Sequence, residues 1–306
     1  MKRRKFLQNG LLAGTAAFLP GTVSAAGAIG SAADGTFHLN YAPHQGMFKN
    51  LGGNDFLDQI RFMHDQGFRA IEDNGMMQRS PAEQEKIGRL LDQLGMEMGV
   101  FVLDKGGNGA NTFAAGKQEY TDIFLKGCRN AIETAKRVQA KWTTVVPGDY
   151  YRQLSLDQQT ANVIETLRQG AELLEPHGLV MVLEPLSDTP DLFLRYSDQT
   201  YMICKAVNSP SCKLLYDIYH MQRNEGDLIH RMDQCWAEIA YIQVGDNPGR
   251  KEPGTGEINY NNIFRHLYNK GYKGVVGMEH GLSKKGTAGE QALLAAYRKA
   301  DDFPLT

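Results

Sequence analysis

A chain of 306 residues, 42% hydrophobic and 22% charged, has the composition of a globular protein and the length of one large α/β barrel or two ordinary domains. Its formal charge of −2, with no dense basic block beyond the first residues, speaks against nucleic acid as a partner. None of the four cysteines, Cys128, Cys204, Cys212 and Cys235, forms a CxxC pair, so they read as buried thiols and not as metal ligands.

In chain order, Met1–Ala25 reads as a targeting segment. Lys2-Arg3-Arg4-Lys5 is a basic head, Phe6-Leu7 follows it, Leu11–Pro20 is a modest apolar core, and Val23-Ser24-Ala25 supplies small residues for cleavage. The apolar core is too short and too rich in glycine and alanine for a stable membrane span. Adjacent arginines followed by x-Phe-Leu resemble a twin-arginine export signal, which implies the twin-arginine translocase as a partner and a periplasmic or exported destination. Cleavage at Ala25 removes four basic residues and no acid, taking the formal charge from −2 to −6. In an oxidising compartment a Cys204–Cys212 bridge is open to the chain. Residues 26–36 form a spacer.

From residue 37 to residue 306 two patterns alternate. Short apolar runs are expected as strands at Phe37–Ala42, Arg69–Glu72, Met96–Leu103, Trp142–Val146, Leu179–Glu184, Lys213–Ile218, Ile239–Val244 and Gly274–Glu279. Between them, helical periodicity predicts Asp55–Gln66, Pro81–Leu94, Tyr120–Gln139, Leu156–Pro176, Ser197–Ala206, Leu228–Trp236, Asn261–Asn269 and Gly289–Ala300. Ser80-Pro81-Ala82-Glu83 places a cap before a proline in the first turn, and Gly67, Gly95, Gly178 and Gly271 close helices just ahead of strands. Eight such strand–helix units most simply close into a single parallel (β/α)8 TIM barrel; an open doubly wound sheet is the alternative. No GxGxxG follows the first strand, which weakens a dinucleotide-binding version of that alternative.

In a barrel of this kind the reactive groups sit at the carboxyl ends of the strands. The last four runs end in Glu184, Asp217, Gln243 and Glu279, each a polar group after an apolar stretch. A bare buried carboxylate costs several kcal/mol unless paired or bound to a cation, and three at one mouth repel each other. A divalent cation relieves both, and an oxygen-rich set with one amide suits Mg2+ or Mn2+, with Co2+ possible. The competing reading is that each acid pairs with its own Arg or Lys. His220, three residues beyond Asp217, is placed to ligate or to contact substrate oxygen. Arg250 is either a clamp for a substrate carboxylate or a loop partner of Glu252 or Glu257. Glu252 and Glu257 read as loop-shaping, and Tyr41, His44, Trp142 and His280 are weaker candidates for the pocket wall.

The run Asp246-Asn247-Pro248-Gly249-Arg250-Lys251-Glu252-Pro253-Gly254-Thr255-Gly256-Glu257-Ile258-Asn259-Tyr260 is similar to a signature of the hydroxypyruvate isomerase branch of the xylose isomerase-like, sugar phosphate isomerase/epimerase superfamily. Leu183-Glu184-Pro185-Leu186, Tyr216-Asp217-Ile218-Tyr219-His220-Met221-Gln222 and Gly277-Met278-Glu279-His280 match it as well. The resemblance spans about Leu179 to Phe303; the first half shares only the barrel rhythm. It implies one divalent metal held by Glu184, Asp217, Gln243 and Glu279. Ketose 3-epimerase relatives carry His where Gln243 stands, so the amide matches the isomerase branch. It also implies isomerisation of hydroxypyruvate to 2-hydroxy-3-oxopropanoate through an enediolate, with Glu184 and Glu279 as acid and base and His220 and Arg250 binding substrate. Such enzymes often form dimers or tetramers. The alternatives are a sugar epimerase or keto-inositol dehydratase on the same metal site, and a non-catalytic exported sugar- or metal-binding protein. A metal-dependent nuclease on this barrel would want a basic face, which the charge opposes.

Overall fold

Short parallel strands alternate with amphipathic helices through residues 37–305, the part of the chain that the computed structural model describes. The expected targeting segment 1–25 and the spacer 26–36 lie outside the described residues. The strands are β1 Asn40–Pro43, β2 Ala70–Ile71, β3 Glu97–Met98, β4 Phe101–Val102, β5 Trp142–Val145, β6 Val180–Leu183, β7 Cys212–Asp217, β8 Ile239–Gln243 and β9 Val275–Met278. The helices are α1 Phe56–Asp65, α2 Pro81–Leu94, α3 Gln118–Val138, α4 Leu156–Leu174, α5 Ser197–Val207, α6 Ile218–Asn224, α7 Leu228–Cys235, α8 Tyr260–Asn269 and α9 Gly286–Ala300.

Among the described residues, seven strands pair in the order β1-β9-β8-β7-β6-β5-β4, all parallel, and β2 pairs with β3 in a separate parallel ladder. Two features join them. The Glu72 N–H donates to the Pro43 carbonyl at 3.0 Å and the Gln45 N–H to the Glu72 carbonyl at 2.9 Å, tying the end of β2 to the end of β1. On the other side, β3 and β4 are two pieces of the single run Met96–Leu103. The interruption falls at Gly99-Val100, where the Tyr241 hydroxyl takes the Val100 N–H at 3.3 Å. A Cβ at Gly99 would lie 2.3 Å from that hydroxyl, so only glycine admits the ring there. With the split strand counted once, the fold is the expected (β/α)8 barrel.

The core has two layers. Ala42, Ala70, Val100, Val182, Leu215 and Tyr241 are buried together in one cluster of strand residues, and a larger cluster contains the apolar faces of the helices. Burying those stripes is what holds each helix on the sheet. The local signals behave as expected. Ser80 and Glu83 form a reciprocal cap at the start of α2, with Pro81 in its first turn. Gly67, Gly95, Gly178 and Gly271 all have positive φ where a helix turns back toward a strand. One element was not foreseen, α6. The Asp217 side chain caps it by accepting the Tyr219 N–H at 2.8 Å, so the strand runs directly into a helix. All four cysteines are buried free thiols, with Cys204 and Cys212 side by side. No helix among the described residues is long and apolar enough to cross a membrane.

Candidate active site

Glu184 follows β6, Asp217 and Gln243 close β7 and β8, and Glu279 follows β9. The ladder pairs Asp217 with Gln243 and Gln243 with Gly277, and Leu183 with Leu214, so all four groups gather at the carboxyl ends of four adjacent strands, within a few residues of one another in register. In paired parallel strands the side chains of partner residues point to the same face. Glu184, Asp217 and Gln243 are buried and Glu279 is half-buried.

The groups differ in how they are satisfied. Glu279 is clamped: Asn74 Nδ2 donates to one oxygen at 2.6 Å and an Arg250 Nη donates to the other, also at 2.6 Å. Asp217 accepts the Tyr219 N–H on one oxygen and the same Arg250 Nη, at 2.9 Å, on the other. Arg250 therefore bridges two of the acids. It pairs with neither Glu252 nor Glu257, which corrects the loop-partner expectation. Glu252 instead accepts from Ser283, and Glu257 accepts from Asn247 and Gln222. The loop's own organiser is Asp246, buried, which accepts N–H groups from Gly254 at 2.8 Å, Gly256 at 2.9 Å and Ile258 at 3.1 Å. That wrapping fixes the shape of the signature run and with it the approach of Arg250.

Glu184 has no such support. Its Oε1 is buried without a donor among the described residues. Burial first, then the charges of Glu279 and Asp217, push its proton affinity well above that of an ordinary glutamate. The Gln243 carbonyl oxygen is likewise buried without a donor, while its Nε2 donates to Glu72 at 2.8 Å.

His220 lies in the first turn of α6, fully buried. Its Nδ1 accepts the Ser187 N–H at 3.1 Å, so in the neutral ring the proton belongs on Nε2. Nε2 has no hydrogen-bond partner among the described residues and lies 3.6 Å from Asp217 Oδ2 and 3.9 Å from Glu184 Oε1. A protonated Nε2 cannot ligate a cation; it can donate to a substrate oxygen. Of the two roles open to His220, the hydrogen bond from Ser187 selects substrate contact.

Ligand atoms of Glu184, Asp217 and His220 all lie within 4.8 Å of one another, so the two carboxylates stand close enough to share a cation, with the imidazole beside them facing the same point. The fit rests on chemistry already described: an unpartnered carboxylate oxygen on Glu184, an unpartnered amide oxygen on Gln243, and two further carboxylates held by an arginine. Hard oxygen donors in that number suit Mg2+ or Mn2+.

Beside the cluster opens a cavity of 480 Å³ whose wall includes His44, Lys49, Asn74, Arg250, Glu279 and His280. A larger cleft of 580 Å³ bordered by α2 and α3 touches none of the acid cluster. Lys49 is exposed, makes no ion pair among the described residues, and folds over Gly46, where an added Cβ would lie 3.1 Å from Lys49 Cε. Lys49, Asn74 and Glu72 escaped the sequence reading, although Glu72 closed a predicted strand. His44 and His280 do line the cavity. Tyr41 and Trp142 do not: the Tyr41 hydroxyl donates to Asp301 at 2.8 Å and Trp142 packs edge-on against Tyr241.

Residues 60–299 match the family described as the xylose isomerase-like TIM barrel. The chain belongs to that family. It is 32% identical to the hydroxypyruvate isomerase of Escherichia coli over 238 residues, 75% of this chain and 89% of that protein. It is 29% identical to the 2-oxo-tetronate isomerase of Cupriavidus necator over 250 residues, 79% of this chain and 93% of that one. Among solved structures, a family 2 AP endonuclease from Brucella melitensis superposes with a TM-score of 0.69 at 24% identity, covering 82% of this chain and 96% of that chain, a likeness of fold. Within the barrel family the chain belongs to the hydroxypyruvate isomerases, and it is an isomerase.

Proposed function

We propose that the protein interconverts hydroxypyruvate and 2-hydroxy-3-oxopropanoate through an enediolate, with a divalent cation at the strand ends. The observation that carries this reading is the pairing of two opposite features: an arc of three carboxylates and an amide, in which one oxygen of Glu184 and the oxygen of Gln243 are buried without a donor among the described residues, and beside it a cavity with Lys49 in its wall. The first suits a cation and the second a substrate carboxylate. A Mg2+ or Mn2+ ion, or Co2+, held by Glu184, Asp217, Gln243 and Glu279, would polarise the adjacent carbonyl and hydroxyl oxygens and stabilise the charge of the enediolate.

The residues supply the rest. Glu184, with a free oxygen and a raised proton affinity, takes the proton from C3 of hydroxypyruvate. A proton taken up from solvent at Glu279, on the other flank of the arc, is delivered to C2, and the hydroxyl proton passes from O3 to O2. His220 donates Nε2–H to a substrate oxygen. Arg250 holds Asp217 and Glu279 and presents its remaining edge to the substrate, and Lys49 pairs with the carboxylate.

The cavity of 480 Å³ favours a second reading, a four-carbon 2-oxo acid, the class in the name of the Cupriavidus necator relative. A sugar epimerase or keto-inositol dehydratase would use the same acids on a neutral ligand. Export through the twin-arginine pathway rests on Arg3 and Arg4 and their following Phe6-Leu7. The test is a screen in deuterated water of Mn2+-loaded protein with hydroxypyruvate, 2-oxo-tetronate and neutral ketoses. Exchange at carbon with the acids supports the isomerase. Exchange only with neutral ketoses moves the protein to the epimerases, and binding without exchange makes it a binding protein.

A further inference from the structure

We propose that Glu72 is a positioning residue, which decides which atom of the Gln243 amide is offered to the cation. The inference rests on the reading of Gln243 as a ligand. Glu72 follows β2, 171 residues before Gln243, and is fully buried. An ionised carboxylate only accepts hydrogen bonds, so an amide that meets it must turn its nitrogen toward it. Burial raises the proton affinity of Glu72, but a proton on Oε2 would still leave Oε1 an acceptor. Gln243 turns accordingly: Nε2 donates to Glu72 Oε1 at 2.8 Å, and the carbonyl oxygen is left buried without a donor among the described residues. Were the amide reversed while Oε1 is an acceptor, two oxygens would face each other at Glu72, and the cation would meet an NH2 group with no lone pair to give.

The fold makes room for this contact. Gly277, in β9, is the ladder partner of Gln243. A Cβ there would fall 2.3 Å from Glu72 Oε1 and 2.7 Å from the carboxyl carbon. The position is thus reserved for the carboxyl group of Glu72. Burying that group is unfavourable, and its Oε2 is left without a hydrogen-bond partner among the described residues. An apolar side chain would fill the same space with less penalty. The Tyr241 hydroxyl also meets this carboxyl group, but it is the contact with the amide that links it to the ligand arc, and groups that orient metal ligands typically change metal affinity 10- to 100-fold when altered.

The measurement is Mn2+ affinity by calorimetry on the full chain, for wild type, Glu72→Gln, Gln243→Leu and the double variant, with melting temperature as the control for the fold. The new amide in Glu72→Gln could donate to the Gln243 carbonyl and free the Gln243 amide to reverse, so this variant should weaken Mn2+ binding by roughly 10- to 100-fold. Gln243→Leu should weaken it at least as much, and the double variant should be no worse than Gln243→Leu alone. Wild-type affinity in Glu72→Gln overturns the proposal, and so do losses that add in the double variant. If Gln243→Leu itself binds normally, the ligand assignment falls and this inference with it; if only Glu72→Gln binds normally, the ligand assignment survives. Should Glu72→Gln not fold, the wild type still decides. With glutamine labelled with 15N at its amide, bound Mn2+ must show no directly bonded 15N in its electron spin echo spectrum, and a bonded 15N contradicts the assignment.

Discussion

From β6 to β9 each strand ends in an oxygen donor; three of the four lie inside a matching motif, and Gln243 stands three residues before the signature run. From β1 to β4 the rim offers different chemistry: the amide of Asn74 on Glu279, Lys49 and His44 in the cavity wall, and Glu72, whose carboxyl group meets an amide. On the proposed reading the first arc would hold a cation, and the second would steady the side chains of the first and receive the substrate carboxylate. Neither is sufficient. Without Asn74 and Glu72, a half-buried glutamate would keep only its arginine donor and a buried amide would lose the acceptor that orients it. Without the four strand ends, there would be nothing to orient.

The largest effect should come from the ligand arc. Glu184→Gln and Glu279→Gln should each lower kcat by roughly 10²–10⁴-fold with the fold intact, as expected for lost proton transfer, and near-normal turnover in both would dissolve the distinction between the arcs. Next is the coupling of metal to protons. Glu184 keeps its proton to higher pH than an ordinary glutamate, because it is buried and lies near Glu279 and Asp217. The cation needs it ionised, so Mn2+ affinity should fall as pH drops through that raised range, by about tenfold per unit for each proton released. Calorimetry in buffers of different ionisation enthalpy reads the protons directly; a pH-independent affinity would remove Glu184 from the ligand set.

The supporting arc should give smaller, more selective changes. Lys49→Met should raise KM for hydroxypyruvate by about tenfold with kcat little altered, and leave binding of neutral ketoses unchanged. An equal loss for acid and neutral ligands would mean that Lys49 only shapes the wall.

The smallest expected effect concerns stability. Burial pushes the His280 imidazole down to about 4, with Nδ1 on the Gly281 carbonyl and Nε2 on the Tyr297 hydroxyl. The unfolded chain therefore takes up the proton first. His280 contributes stability above the ordinary histidine value, and that contribution is lost as pH falls toward 4. His280→Gln should flatten that slope, by on the order of 2 kcal/mol at its acid end; thermal melts of the metal-free protein from pH 7 to 4 measure it.

The contrast between the arcs also marks what could be read from the chain. Glu184, Asp217, Gln243 and Glu279 each end a recognisable apolar run, so barrel topology alone brings them to one rim. The eight-unit rhythm was legible for the same reason, down to glycines such as Gly95 that close helices. What was not legible depends on contacts between distant segments. Nothing near Gly277 says that it must clear a path for Glu72. Nothing near Gly99 says that Tyr241 will split a strand there. Arg250 looked like a partner for Glu252 because the two are neighbours in sequence, but Ser283 holds Glu252 and Arg250 reaches Asp217 and Glu279. Helix α6 went unseen because Asp217 serves at once as strand end, cap and candidate ligand.

The most direct test of the central claim is solvent exchange at hydroxypyruvate. Protein loaded with Mn2+ in deuterated water should place deuterium on C3 of recovered hydroxypyruvate and on C2 of the product, and chelation or Glu184→Gln should abolish both. Metal-loaded protein that leaves the carbon-bound hydrogens of hydroxypyruvate untouched would contradict the account.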